Sequence, residues 1–188
     1  MSEIVAVAFT FHGLATRDLE LPLAALARAG ISAELVGSAP GIVHGFDPVR
    51  AFEIARRFDR PDRSRAEHVA AGDRPEAATD LVLVPGGFAW RQLADDIAVT
   101  GWLRATADEG AYVVGISTGA LLVAASGLLG EQRATGHWLA LDDLEALGAV
   151  VDDEPLVRAG RVFTAAGGLP AVEAIEVIVD ELRWSRHE

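Results

Sequence analysis

AYVVGISTGALLVAASGLL, residues 111–129, carries the strongest structural signal in this sequence. The apolar run 111–114 predicts a buried strand, and the small and apolar residues 119–128 predict a helix. Between them, Gly115-Ile116-Ser117-Thr118-Gly119 matches the pattern G-x-S-x-G. Placed between a strand and a helix, that pattern is typical of a tight turn that lifts the central side chain above the edge of a parallel sheet. The stretch therefore indicates an α/β fold with a functional residue at position 117.

Strand and helix signals alternate along the rest of the chain, apart from a proline-broken segment at 41–80. Apolar runs predict further strands at residues 4–11, 31–36, 80–84, 134–138, 150–151 and 162–165. Helical spacing predicts helices at 18–29, 91–109 (one helix or two), 142–147 and 169–182. This alternation is typical of an α/β/α sandwich with a mainly parallel sheet. Since no linker signal interrupts it, we expect one domain over residues 1–188.

The composition limits the protein class. The chain has 188 residues, of which 51% are hydrophobic and 23% charged, enough apolar material for a full core. No apolar run approaches the ~18 residues of a membrane span, so we expect no membrane partner. Glu3 stands where a secretory leader would carry basic residues, and the first segment is typical of a strand, so we expect a cytoplasmic location.

The charged and reactive residue types exclude several chemistries. The chain has no cysteine, which excludes disulfides, cysteine-bound zinc and a thiolate nucleophile. It has no lysine either, which excludes Schiff-base catalysis. The net charge of −12 disfavours a nucleic-acid partner. The one basic cluster is diluted by acidic residues and is interpreted as solvated surface: Arg56, Arg57, Arg60, Arg63 and Arg65.

Two glycine-containing turns are candidates for the reacting centre. A helix that starts behind Ser117 would offer free N–H groups and a partial positive charge to an anion. The alternative is that Ser117 is only a helix N-cap in a small-residue turn. Val84-Pro85-Gly86-Gly87 follows another predicted strand, and backbone N–H groups at Gly86 and Gly87 could stabilise an oxyanion. An ordinary tight turn is the alternative there.

Two titratable residues are further candidates. His137 lies twenty residues after Ser117 and could act as its general base, although a lone histidine is more often structural. Asp18 follows the first strand, so it could either reach the same edge of the sheet or simply favour the dipole of a helix. The sequence has no metal-ligand pattern, and no G-x-G-x-x-G follows a predicted strand. We therefore expect no metal and no other cofactor.

The string GISTGALLVAASGLLGEQRATGHW, residues 115–138, resembles the active-site segment of the ThiJ/PfpI superfamily. The branch it resembles contains isonitrile hydratases and the amidase-like domains of AraC-type regulators. Residues 84–87 resemble the family's oxyanion loop, and Asp18, four residues before Pro22, falls at its acidic position. AAGGLPAVEAIEVIVDEL, residues 165–182, resembles the family's closing loop and helix. The resemblance implies a flavodoxin-like fold of the class I glutamine amidotransferase type, and a homodimer.

The sequence departs from that family at its most important position. The family's nucleophile is a cysteine, and here the residue is Ser117. A serine has no accessible anion near neutral pH and needs a base, for which His137 and Asp18 are the candidates. Three explanations stay open: a serine enzyme of changed chemistry, a non-catalytic relative that binds a small ligand, or an engineered replacement of cysteine.

The resemblance implies an isonitrile hydratase-like hydrolase or lyase acting on a small electrophilic molecule. Ser117 would attack, Asp18 would handle the proton or orient water, and His137 would contact the substrate or the nucleophile. Gly86, Gly87 and Thr118 would hold developing negative charge. The alternative function is a non-catalytic small-molecule-binding or sensor domain. An ordinary α/β-hydrolase is disfavoured because in that fold the acid and then the histidine follow the serine.

Overall fold

A computed structural model describes residues 3–58 and 79–186. Arg60, Arg63 and Arg65 of the basic cluster lie outside the described residues. Within the described part, the chain forms a seven-stranded sheet flanked by helices. The fold is α/β with a mostly parallel central sheet, as the alternation of strand and helix signals predicted.

The strands of the described residues are Ala6–Phe9 (β1), Ala33–Gly37 (β2), Gly41–Gly45 (β3), Arg50–Ile54 (β4), Arg56–Arg57 (β5), Leu81–Val84 (β6), Tyr112–Ile116 (β7), Arg133–Ala134 (β8), Val150–Val151 (β9), Leu156–Ala159 (β10) and Val162–Ala165 (β11). The central sheet has the strand order β10-β11-β7-β6-β1-β2-β5. Every neighbouring pair is parallel except β10 and β11, which are antiparallel. A hairpin of β3 and β4 and a short parallel pair of β8 and β9 stand outside this sheet.

The helices pack in two groups. Helix α1 packs against α6, while α2, α3 and α5 each pack against α4. The helices are Thr16–Arg28 (α1), Trp90–Ala94 (α2), Ile97–Asp108 (α3), Gly119–Ala125 (α4), Leu141–Ala146 (α5) and Gly168–Ser185 (α6), with a 3-10 turn at Trp138–Ala140. No helix among the described residues is long and apolar enough to cross a membrane.

The core is built on four strands whose residues are all buried: β1, β6, β7 and β11. Strands covered on both faces have no polar side, which is why their sequences are nearly continuous apolar runs. Three of them end beside one another, because Ala8 pairs with Leu83 and Leu83 with Val114. The turns that follow these strands therefore meet at the carboxyl edge of the sheet, where ligands bind in open α/β folds.

Several predicted elements differ in extent from the observed ones; the strand predicted at 4–11, for example, covers only Ala6–Phe9. Two others show the physical reason. The strand predicted at 134–138 ends at Ala134, and the chain continues into the 3-10 turn. It ends there because the next backbone N–H, that of Thr135, donates to the Thr164 hydroxyl (2.9 Å) instead of to a carbonyl of a neighbouring strand. The helix predicted at 119–128 ends at Ala125, since Gly127 adopts a left-handed φ of 73°. Strand β10 was not predicted at all.

Candidate active site at the carboxyl edge of the sheet

Ser117 occupies the sharp turn between β7 and α4. Its φ of 57° is left-handed, a conformation that is costly for a residue with a Cβ. The turn is held by the Ser117 N–H, which donates to the Ala165 carbonyl at the end of β11 (2.8 Å). A Cβ at position 119 would collide with the Val84 carbonyl oxygen, so only glycine lets the helix start this close to β6. The N-cap of α4 is Thr118, so the interpretation of Ser117 as a simple N-cap is wrong.

Asp18 lies in the first turn of α1 and is 8% exposed. The loop before it is fixed to the turn after β6, because the Ala15 N–H donates to the Gly86 carbonyl (2.7 Å). A Cβ placed on Gly86 would lie 2.7 Å from Asp18 Oδ2 and 2.9 Å from Ser117 Oγ. The structure thus brings the carboxyl group and the hydroxyl group together beside Gly86, where a side chain on residue 86 would collide with both.

The surroundings of Asp18 change its acidity. Burial raises the pKa of this carboxyl group above its ordinary value. The Ser117 hydroxyl, the backbone N–H groups of Gly168 and Gly86, and the nearby His137 lower that pKa, but they do not cancel the effect of burial. A buried carboxyl whose pKa is shifted toward neutrality is suited to accept and return a proton.

Of the three residues expected to hold negative charge, Gly86 and Gly87 have engaged backbone N–H groups in this structure, whereas Thr118 does not. Gly87 donates its N–H to the Thr118 hydroxyl (2.8 Å), which donates in turn to the Gly87 carbonyl (3.1 Å). The Gly86 N–H faces the Asp18 carboxyl group. Thr118 and Gly119 have backbone N–H groups with no partner among the described residues, as the first residues of a helix generally do. The rule for helix starts could have identified Gly119, which the sequence analysis missed.

His137 lies beside this site, in the loop before the 3-10 turn. It is half-buried, and its Nδ1 accepts the backbone N–H of Leu139 (3.2 Å). In its charged form, the imidazole lowers the pKa of the Asp18 carboxyl group. Within the part of the chain that the structure describes, no hydrogen bond joins His137 to Ser117. The histidine therefore approaches the expected site without pairing with the expected nucleophile.

Three exposed apolar residues lie next to site residues in the chain, and the sequence analysis did not assign them to the site. We define the rim as Phe88, Trp138 and Leu169, which are 77%, 73% and 74% exposed. Each directly follows a site residue, namely Gly87, His137 or Gly168. Phe88 is supported by Phe46 of the segment after β3, with ring centroids 4.2 Å apart. Single exposed apolar residues carry little information in a sequence, so the rim becomes evident only when the loops are assembled.

Comparisons with known proteins agree with this architecture. The model of the DJ-1/PfpI family matches residues 5–181. An isonitrile hydratase of Pseudomonas putida is 35% identical over 103 residues, which cover 55% of this chain and 45% of that protein. The HTH-type transcriptional regulator CdhR of Pseudomonas aeruginosa is 33% identical over 155 residues, covering 72% of this chain and 45% of the regulator. The chain thus spans about half the length of these two curated relatives.

Two more distant relatives were also found, one of which has a different activity. A glutathione-independent glyoxalase, DJR-1.2 of Caenorhabditis elegans, is 27% identical over 157 residues, covering 84% of this chain and 76% of the glyoxalase. The crystal structure of a ThiJ/PfpI domain protein from Brachyspira murdochii superimposes with a TM-score of 0.77 at 20% identity, covering 97% of each chain. That likeness shows a shared fold.

Proposed function

Because the chain belongs to the DJ-1/PfpI family, we propose that it is an isonitrile hydratase-like enzyme that adds water to a small electrophilic carbon. One observation carries the proposal: Ser117, in a left-handed turn, hydrogen-bonds through its side chain to the buried Asp18 carboxyl group beside Gly86. A nucleophile beside a proton acceptor is the minimum equipment for covalent catalysis by a hydroxyl group.

The proposed reaction uses Asp18 as the proton carrier. The Ser117 oxygen forms a bond to the isonitrile carbon, and its proton passes through the Asp18 carboxylate to that same carbon, which gives a formimidate ester. Water then adds to this carbon through its oxygen, and one of its protons passes to the nitrogen. The bond between the carbon and Ser117 breaks, the formamide leaves, and the second proton of the added water passes to the serine oxygen. The sum is one isonitrile plus one water to one formamide.

The rim supports a substrate with an apolar body. Phe88, Trp138 and Leu169 offer apolar and aromatic surface, and burying such surface against a ligand is favourable. An aryl isonitrile combines an apolar ring with an uncharged reactive end. It therefore fits both the rim and the donor groups at the start of α4.

A non-catalytic ligand-binding domain is the second candidate. The hydrogen bond from Gly87 to Thr118 favours it, because an N–H group that is already paired is not free to stabilise an oxyanion. The match to a transcriptional regulator is consistent with a sensing role. This candidate predicts saturable binding without turnover.

The test is conversion of an aryl isonitrile to its formamide, measured by chromatography. The wild-type protein is compared with Ser117→Cys and Ser117→Ala. We expect turnover by wild type and none by the alanine variant. Turnover by the cysteine variant alone would make the wild-type chain an inactive hydratase scaffold. No turnover by any of the three, with binding of the same isonitrile by calorimetry, would contradict the enzymatic proposal and support the binding domain.

A further inference from the structure

The hydrogen bond of His137 determines which of its nitrogens carries a proton. Nδ1 accepts the Leu139 N–H, and an accepting ring nitrogen has no proton of its own. A neutral imidazole keeps one N–H, so the proton must be on Nε2. The nitrogen left for other contacts is therefore a donor. A ring held in this way has no free lone pair with which to take the proton of Ser117.

The loop that carries His137 lies against the turn at Ser117. A Cβ on the preceding residue, Gly136, would lie 3.0 Å from the Ser117 carbonyl oxygen, so the loop contacts the turn directly. The charged form of the ring also acts on the Asp18 carboxyl group. The N–H groups of Gly86 and Gly87 are engaged. Among the described residues, the free backbone donors of the site are therefore those at the start of α4, and the turn after β6 supplies none.

We propose that His137 is a hydrogen-bond donor to the substrate through Nε2–H, and that it is not the general base for Ser117. Its N–H stabilises the substrate atom that gains negative charge when the nucleophile or water adds, while Asp18 carries the proton. This inference rests on the proposed function for the identity of the acceptor. The protonation pattern of the ring is independent of that function.

The direct test is the tautomer of His137 in the folded wild-type protein. Long-range proton–nitrogen correlation spectra of protein labelled with ¹⁵N histidine distinguish a protonated ring nitrogen from a bare one. The chain has five histidines, and the signals absent from the His137→Gln spectrum are those of His137. We expect a protonated Nε2 and a bare Nδ1 near neutral pH. A proton on Nδ1 would overturn the proposal.

The kinetic test compares His137→Gln with His137→Leu in the form of residue 117 that turns over the isonitrile. A glutamine side chain can place an N–H near the position of Nε2 but has no basic nitrogen. A leucine side chain has neither. We expect the glutamine variant to keep kcat within about tenfold, and the leucine variant to lose about 10²-fold in kcat, as removal of an oxyanion donor does. A base would instead be lost equally in both variants.

Equal inactivity of the two folded variants, with circular dichroism spectra like that of wild type, would contradict the donor role. A complete lack of turnover in every form of residue 117 would refute the proposed function. In that case the nuclear magnetic resonance result still decides the tautomer. The two failures are therefore distinguishable.

Discussion

At the scale of single residues, Asp18 couples function to stability. Its pKa is raised by burial, so the folded protein holds this proton more tightly than the unfolded chain does. The free energy of unfolding therefore falls as the pH rises from the ordinary carboxyl pKa of 3.8 through the higher folded value. At neutral pH the buried, ionised carboxylate lowers the free energy of unfolding. The proposed reaction nevertheless requires this group.

Asp18→Asn should separate these two effects. We expect turnover of the isonitrile to fall by about 10²- to 10⁴-fold, because the proton carrier is lost. The decline of the unfolding free energy across that acidic pH range should become shallower, since the group that binds the proton is gone. Chemical denaturation at several pH values measures the second effect. Glu20→Gln, which removes a half-exposed carboxyl group of the same helix, is the control. A pH dependence unchanged by Asp18→Asn would contradict the prediction.

The residues of the site were accessible to sequence reasoning to different degrees. Ser117 and Thr118 were identified because a strand, a glycine-flanked turn and a helix are consecutive in the chain. The contact of Asp18 with this turn depends on the close approach of residues 15 and 86, which local patterns do not contain. The same holds for His137, whose donor character depends on the shape of the loop that carries it.

At the scale of elements, the Thr118 hydroxyl joins α4 to the turn after β6. It both accepts from and donates to the backbone of Gly87, which is itself buried. Thr118→Val keeps the shape of the side chain and leaves that N–H group without its partner. We expect a loss of about 1–2 kcal/mol in the free energy of unfolding.

Thr118→Ser retains the hydroxyl and is the matched control. Chemical denaturation measures the free energy of unfolding, analysed with the denaturant dependence of the wild-type protein. We expect the value for the serine variant to lie within about 0.5 kcal/mol of that for wild type. Equal stability of the valine and serine variants would show that the hydrogen bonds to Gly87 contribute nothing.

Elements were predictable where the sequence signal was local. The buried strands 81–84 and 112–116 were found because strands covered on both faces are continuous apolar runs. Strand β10 was missed because its four residues include Arg158 and follow an acidic turn ending in Pro155. Its antiparallel pairing with β11 stabilises this strand, although its composition does not predict one.

At the scale of the whole molecule, one buried carboxylate connects parts of the chain that are distant in sequence. Asp80, 3% exposed at the start of β6, accepts the N–H of Val5 (2.7 Å) and a guanidinium N–H of Arg186 (2.8 Å). It thus ties the strand that opens the domain to the end of α6. A buried charge of this kind is costly to leave without its counterion.

Asp80→Asn should lower the free energy of unfolding by about 2 kcal/mol, because the ion pair between the Arg186 guanidinium and the buried carboxylate is lost. Thermal and chemical denaturation measure the effect. Asp143→Asn is the control, since it breaks an exposed ion pair with Arg91 and should change stability by less than about 0.5 kcal/mol. Equal effects of the two substitutions would refute a special role for Asp80.

The exposure of Trp138 gives the protein an optical reporter of its own. The indole is 73% exposed and stacks against the His137 ring with centroids 5.7 Å apart, whereas Trp102 is buried in the core. Indole emission moves to shorter wavelength when water leaves the ring. A molecule that enters past the rim should therefore shift the fluorescence of Trp138, and a Trp138→Phe protein provides the blank. Libraries of uncharged compounds can then be screened for binding by this fluorescence shift before any reaction product is known.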